Sequence, residues 1–135
     1  MHRPRLVFVA GAAVLAASAL PLRAHHSLDD TYDLSRTVTL TGVISKVEWA
    51  NPHVRLFVEV KGAAAEAKTW SVEIKPPSAM ARLGVSPATL GQAGEISLDV
   101  WLAKDGSLSA AGKTLKTADG TVYDVNDGMN WRRAQ

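Results

Sequence analysis

Apolar and polar residues alternate along three segments of the chain, 53–61, 70–75 and 94–104. A period of two places every second side chain on the same side of a β-strand, so that one side meets a core and the other meets solvent. We therefore predict a strand in each segment. The residues predicted to face inward are Val54, Leu56, Val58, Val60, Trp70, Val72, Ile74, Ile96, Leu98, Val100 and Leu102.

An earlier segment, 37–49, is rich in β-branched residues but changes its apolar side part-way. The change falls near Gly42, and a strand that changes side at a glycine usually carries a bulge or a sharp coil. We predict a long, bent first strand. Its two apolar sets are Val38, Leu40 and Ile44 on one side and Val43, Val47 and Trp49 on the other.

Turn-forming residues separate these strands and mark one short helix. Asn51-Pro52 ends the first strand, and Asp105-Gly106 predicts a hairpin after the strand at 94–104. Pro76-Pro77 predicts a helix start, where the missing proline N–H costs nothing, and Gly84 predicts the end of that helix.

The predicted order is three strands, a short helix and two further strands, the last covering about 107–117, with a short extra strand at 121–125. A bent first strand and a helix between strands three and four fit the OB-fold, an all-β, five-stranded Greek-key barrel. A β-sandwich is the alternative, but it usually needs about seven strands. We assign the barrel to 37–125, between a polar lead-in segment (25–36) and a loose tail (126–135).

Residues 1–24 have the order of a secretory signal peptide. A cationic start precedes an apolar run and the breaker Pro21. We expect cleavage after Ala24, with Ala19 as the alternative, and a periplasmic domain with no remaining membrane span. A retained N-terminal anchor is the other interpretation, although a spanning helix needs about 20 apolar residues. The chain has no Cys, which excludes a lipid-anchored lipoprotein and disulfide bonds.

The net charge of the predicted mature domain differs from that of the whole chain, because the predicted signal peptide is basic. The chain has 15 basic and 13 acidic residues, but Arg3, Arg5 and Arg23 lie in the predicted signal, which leaves 12 basic residues. A nearly neutral exported domain is a poor candidate for binding nucleic acid. The sequence has no Cys nucleophile, G-x-S-x-G, H-E-x-x-H or phosphate-binding glycine loop, so a binding role is favoured over catalysis.

Several short motifs follow one another along the chain. They are His25-His26-Ser27, Tyr32-Asp33, Val38-x-Leu40-x-Gly42, Val47-Glu48-Trp49-x-Asn51-Pro52-His53, Trp70, Pro76-Pro77, Leu90-Gly91 and Ala103-Lys104-Asp105-Gly106-Ser107. With these motifs in this order, the chain resembles a family of small exported bacterial proteins of unknown function. The resemblance covers nearly all of residues 24–125. The resemblance implies a periplasmic, OB-like domain and implies no particular activity. Arg55 departs from the pattern, which is more often apolar or aromatic at that position.

Three histidines remain after the predicted cleavage: His25, His26 and His53. If His25 is the new N-terminus, its amine and its ring can chelate one metal ion, and further imidazoles can complete the set. Such nitrogen ligands suit Cu(II), Ni(II) or Zn(II), and Cu(II) binds most strongly in this series. The hypothesis is a copper site at these histidines. The acidic residues of the lead-in segment lack a calcium-loop spacing and are interpreted as solvated; they are Asp29, Asp30 and Asp33.

The predicted first strand separates the two parts of this histidine set. His53 follows the end of that strand, whereas the lead-in segment joins its start at Thr37. A strand of 13 residues spans up to about 43 Å, and an extended lead-in segment reaches about 40 Å. The histidines can therefore meet only if the lead-in segment runs back along the barrel.

A second hypothesis assigns the chain a docking role. Phe57 and Trp101 fall on the outward side of their strands, and Trp49, Asn51 and Pro52 crowd one turn. Outward aromatic rings and a crowded turn at a barrel mouth are typical of a surface for a protein partner or a small ligand. An accessory module of an exported complex is therefore the alternative to a metal-binding domain, and a copper enzyme is a third hypothesis.

Overall fold

The computed structural model of the chain describes residues 28–62 and 66–126. The predicted signal peptide, His25, His26 and the tail from residue 127 onward lie outside the described residues, so the predictions made for them stay predictions.

Six strands and three short helices make up the described residues. In chain order they are α1 (Leu28–Thr31), β1 (Tyr32–Glu48), β2 (Arg55–Lys61), β3 (Ala67–Glu73), α2 (Pro77–Arg82), α3 (Pro87–Gly91), β4 (Glu95–Ala103), β5 (Ser109–Lys116) and β6 (Val122–Asp124). None of these helices has the length and apolar character that crossing a bilayer requires.

Five of the strands form a closed ring. β1 pairs antiparallel with both β2 and β4, β2 pairs with β3, and β4 pairs with β5. A short parallel pairing, Ser71–Glu73 against Ser109–Ala111, joins β3 to β5 and completes the ring. This is the strand order of the OB-fold, so the predicted fold class is confirmed. β6 extends the ring only at one edge of β5.

The long β1 takes part in both halves of the ring because it changes partners at Val43, which pairs with Glu95 of β4 and with Glu59 of β2. Gly42 lies beside this change. A Cβ at Gly42 would lie 2.1 Å from the carbonyl oxygen of Glu59, so only glycine lets β1 and β2 approach this closely.

The change of the apolar side occurs at Ser45 rather than at Gly42. The register of β1 against β2 shifts between Ile44 and Lys46, which makes Ser45 the bulged residue. Ile44 and Val47 both pack against the core, whereas Val43 is 51% exposed. Val43 was therefore wrongly grouped with the apolar residues Val47 and Trp49, because the extra residue comes three positions after the glycine and two after Val43.

β1 also begins earlier than the predicted strand, at Tyr32 instead of Thr37. Between these two residues β1 advances five positions while β4 advances two, from Ala103 to Trp101. The surplus residues form a wide bulge, inside which Asp33 Oδ1 accepts hydrogen bonds from both the backbone N–H and the hydroxyl of Ser35. This local turn takes up the extra residues between Tyr32, which pairs with Ala103, and Thr37, which pairs with Trp101.

The inward residues predicted from alternation form the core. Fifteen buried side chains make one cluster, and every predicted inward residue of β2, β3 and β4 either belongs to it or packs against it. The members from outside these three strands include Met80, Val85 and Leu90 of the α2–α3 region. The two helices therefore close one side of the core between β3 and β4.

Candidate functional site: a tyrosine, a glutamate and a histidine outside the ring

Glu73 is the meeting point of two side chains that lie far apart in the sequence. Its Oε1 lies 2.5 Å from Nδ1 of His53, and its Oε2 accepts a hydrogen bond of 3.1 Å from the Tyr32 hydroxyl. The two partners come from opposite ends of β1, since Tyr32 is its first residue and His53 follows its last residue by five positions. The carboxylate thus joins the N-terminal part of the described chain to the turn that precedes β2.

The hairpin of β2 and β3 places His53 beside Glu73. Arg55 pairs with Glu73 in the hairpin, and the backbone hydrogen bonds continue past the strand, from the Ile74 N–H to the Val54 carbonyl (2.9 Å) and from the Val54 N–H to the Lys75 carbonyl (3.2 Å). These bonds hold the backbone around Val54 against β3. The Asn51–Pro52 peptide bond, which is cis, lies just before His53.

Tyr32 lies over the joint between β3 and β5. Its side chain is buried, and its hydroxyl also interacts with Ser109, the first residue of β5. Burial and the neighbouring Glu73 carboxylate raise the pKa of the Tyr32 hydroxyl above its ordinary value. The hydroxyl therefore keeps its proton and donates a hydrogen bond to Glu73.

Glu73 is a carboxylate in this arrangement. The hydrogen bond from His53 lowers its pKa most, against the opposing effect of burial, and the charge of Arg55 adds to the lowering. The Arg55 guanidinium itself donates to the Ser71 hydroxyl at 3.1 Å. The His53 side chain remains 31% exposed and that of Glu73 23% exposed, so the pair stays accessible from outside the barrel.

The lead-in segment runs back to His53. Leu28, the first described residue, lines a cavity of about 20 Å³ together with His53, Glu73 and Gly112. This volume holds about one water molecule. Lys104 anchors the same segment, because its backbone N–H donates to the Thr31 carbonyl at 2.9 Å and its ammonium donates to the Asp29 carbonyl at 2.5 Å.

This return path meets the condition on which the histidine hypothesis depended. His25 and His26 precede Leu28 by three and two residues, but they lie outside the described residues, and the three-histidine set stays a prediction. Within 28–62 and 66–126, no three His, Cys, Asp or Glu side chains are grouped so that they could hold a metal ion.

A profile of one protein family matches residues 12–113, a range that contains His25, Tyr32, His53 and Glu73. The chain belongs to this family of unknown function, DUF6152. The same kind of comparison found no match among curated proteins and none among solved structures. Family membership supports the resemblance noted from the motifs and leaves the activity open.

The other predicted site residues do not lie together beside Glu73 and His53. Trp49 packs against the core, whereas Asn51 and Pro52 are exposed in the turn. Phe57 and Trp101 lie on the outer side of β2 and β4, which are not neighbours in the ring. A lysine covers each of these two aromatic side chains. Nζ of Lys46 lies 5.0 Å from the centroid of the Phe57 ring, and Nζ of Lys113 lies 5.7 Å from the centroid of the Trp101 ring. The partner surface stays a prediction.

Glu73 was missed as a site residue by the sequence analysis, as was the role of Tyr32. One signal was available for Glu73. Counting back from the loop of the predicted hairpin places it opposite Arg55, two residues from His53. No comparable signal exists for Tyr32, because its approach depends on the wide bulge at 33–36 and on the parallel joint of β3 and β5.

Proposed function

We propose that the chain is an exported, periplasmic binding domain that takes up a transition-metal ion, Cu(II) in the first place, through His53 and the N-terminal histidines His25 and His26. The signal-like order of residues 1–24 supports export. The absence of a catalytic motif from the sequence favours a binding domain over an enzyme.

One observation carries the metal-binding part of the proposal: Leu28 lies at the same small cavity as His53. A chain rises by at most about 3.6 Å per residue, so the α-carbons of His26 and His25 can be no further from that of Leu28 than about 7 and 11 Å. Both imidazoles are therefore within reach of His53. A free amine at His25 would add a fourth nitrogen.

The chemistry of these groups selects the metal. Imidazole and amine nitrogens suit Cu(II), Ni(II) and Zn(II), and Cu(II) forms the most stable complexes of the divalent series. The described residues offer no cluster of carboxylates at His53 that would favour Ca²⁺ or Mg²⁺ instead, because Glu73 is the one acidic side chain among the residues lining the cavity.

The test is a competition titration with Cu(II), using protein recovered from the periplasmic fraction after its N-terminal residue has been determined by mass spectrometry. We expect one equivalent of Cu(II) to bind to protein that begins at His25. His53→Ala and His25→Ala should each weaken binding by at least about tenfold, because each removes a ligand of the same ion.

Two controls make the result specific. Protein that begins at Leu20 keeps all three imidazoles but moves the amine away from His25, so it separates the role of the amine from that of the rings. Lys113→Ala removes a charge that lies over the Trp101 ring and does not line the cavity at His53, so this variant should bind as the wild type does. Unchanged affinity in both histidine variants would refute the metal site.

A further inference from the structure

The wide bulge of β1 leaves a cavity of about 500 Å³ beside the end of β4. The residues that line it are Asp33 and Arg36 of the bulge and Leu102, Ala103 and Lys104 of the opposite segment. We propose that this bulge cavity binds a free α-amino acid with an apolar side chain. The proposal is independent of metal binding, because the bulge cavity shares no lining residue with the cavity at His53.

The size and the lining of the bulge cavity fit a small organic molecule. Small-molecule sites in proteins enclose about 300–1,000 Å³ and combine apolar walls with a few polar groups. The half-buried residues Leu102 and Ala103 supply the apolar part of the lining, and Leu102 also packs against the core. The charged lining residues are exposed. A ligand with an apolar end and a charged head therefore meets matching groups.

The charges around the bulge cavity favour a dipolar head over a simple anion. The ammonium of Lys104 is already engaged, because it donates to the Asp29 carbonyl at 2.5 Å and lies 3.6 Å from the Asp29 carboxylate. The two lining charges that remain are the carboxylate of Asp33 and the guanidinium of Arg36. One negative and one positive group at the same cavity complement a zwitterion.

Asp33 can accept a hydrogen bond from the ammonium group of such a ligand. Ser35 donates to it from the backbone N–H at 3.0 Å and from the hydroxyl at 2.6 Å, and both bonds end on Oδ1. Within residues 28–62 and 66–126, no group donates to Oδ2. The bonds from Ser35, that of the hydroxyl most of all, lower the pKa of Asp33, so its carboxylate stays charged.

Arg36 provides the group that a ligand carboxylate needs. Its guanidinium makes no hydrogen bond or ion pair with any of the described residues, including Asp33 three positions earlier. The planar fork of an arginine matches a carboxylate with two parallel hydrogen bonds. An amino acid can therefore place its carboxylate at Arg36, its ammonium at Asp33 and its side chain against Leu102.

The test is a titration of the full mature protein followed by nitrogen-15 NMR, with a chelator present so that no copper complex of an amino acid forms. The probes are leucine, 4-methylpentanoate, which lacks the ammonium group, and isopentylamine, which lacks the carboxylate. We expect leucine to bind and to shift the amide signals of 33–36 and 102–104. Each analogue should bind at least about tenfold more weakly, because it loses one charge-assisted hydrogen-bonded contact.

Two substitutions assign the ends of the ligand. Asp33→Asn keeps an oxygen that accepts from Ser35 but removes the charge, so it should weaken leucine binding at least about tenfold and leave the binding of 4-methylpentanoate unchanged. Arg36→Gln should weaken the binding of leucine and of 4-methylpentanoate and leave that of isopentylamine unchanged. This crossed pattern separates contact with the ligand from a general loss of structure, which would weaken all three probes alike.

Each substitution has a matched control outside the bulge cavity. Asp119→Asn changes a carboxylate that also accepts from a backbone N–H two residues later and from a hydroxyl, those of Thr121 and Thr117. Arg82→Gln removes an exposed guanidinium from the last turn of α2. Both controls should bind leucine as the wild type does.

The results that would overturn the proposal are distinct. If leucine binds no better than 4-methylpentanoate and isopentylamine, or does not bind, the cavity does not recognise a zwitterion. Shifts confined to amides outside 33–36 and 102–104 would place the ligand elsewhere on the molecule. Wild-type leucine affinity in Asp33→Asn or Arg36→Gln would refute the assignment of that residue to the ligand.

Discussion

At the residue scale, two carboxylates on the outside of the ring of strands have different hydrogen-bond partners and connect different parts of the chain. Asp99 accepts hydrogen bonds from the hydroxyls of Thr39 at 2.7 Å and Thr114 at 2.9 Å, which links β4 to both of its neighbours. Glu73 accepts from a histidine and a buried tyrosine. The first set ties three strands together across the surface, whereas the second joins β3 to the first residue of β1 and to the segment that precedes β2.

The hydrogen bonds to Asp99 predict a dependence of stability on pH. They lower its pKa below its ordinary value, with Thr39 contributing most. A group whose pKa is lowered by folding stabilises the protein above its unfolded pKa, about 3.9, and this stabilisation is lost as the pH falls through the folded value. Asp99→Asn should therefore lose less stability than the wild type does as the pH falls below about 5.

Urea unfolding midpoints at several pH values in this range measure the effect. Thr39→Val and Thr114→Val keep the carboxylate but remove one donor each, so each should reduce the acid-dependent loss in part. Since Asp99 lies at the surface, solvent weakens the effect and the differences should be small. Identical acid-dependent losses in the wild type and Asp99→Asn would contradict the prediction.

At the element scale, β1 determines the shape of the ring. Its 17 residues pair first with β4 and then with β2, and the change of partner takes place beside Gly42. Ser45 adds the bulge that keeps apolar side chains on the core side after the strand has bent. A long strand needs both features, because bending without an extra residue would turn Val47 and Trp49 away from the core.

Gly42→Ala should destabilise the protein strongly, because the new Cβ would lie 2.1 Å from a backbone oxygen that cannot move without breaking the pairing of β1 and β2. We expect a loss of about 3 kcal/mol or more in the free energy of unfolding, at the upper end of what overpacking causes.

Gly91→Ala is the matched control, since a Cβ there meets no atom within 4 Å. It should change stability by less than about 1 kcal/mol. Chemical denaturation of both variants tests the pair, and equal losses would show that the close approach at Gly42 is not what requires glycine.

At the scale of the whole molecule, one core serves all five strands of the ring. Leu98 of β4 is fully buried in it, together with side chains from β1, β2, β3, β5 and the helices. Strands that share a single core and a closed set of hydrogen bonds should unfold together. The short parallel joint between β3 and β5 gives the ring its closure and supports the glutamate site on its outer side.

Leu98→Ala should lower the free energy of unfolding by about 2–5 kcal/mol, because it removes buried contacts and leaves a cavity. Tryptophan fluorescence and far-ultraviolet circular dichroism should still give coincident unfolding transitions. Leu108→Ala is the control, since Leu108 is 41% exposed, and its effect should stay within about 0.5 kcal/mol. Separate transitions for the two probes would mean that the ring does not unfold as one unit.

Most of the fold could be predicted from the chain alone. The period of two in β2, β3 and β4 identified the inward residues correctly, since alternation follows directly from strand geometry. Pro77 and Gly84 marked the limits of α2 closely, because proline and glycine restrict or permit backbone angles by their own structure. These features depend on neighbours in the sequence, and the sequence therefore determined them, along with the signal-like character of residues 1–24.

Tertiary structure alone decided the site. Tyr32, His53 and Glu73 come together because a bulge turns the start of β1 back, a hairpin register brings His53 beside Glu73, and a parallel pairing of β3 with β5 closes the ring. The pairing of β1 with β4 and that of β3 with β5 join distant parts of the chain, and no local pattern specifies their register. A shift of one residue in the pairing of β2 with β3 would point Glu73 to the opposite side of its strand, since side chains alternate with a period of two. That is the physical reason why His53 could be singled out in the sequence, whereas the contact of Tyr32 with Glu73 could not be predicted from it.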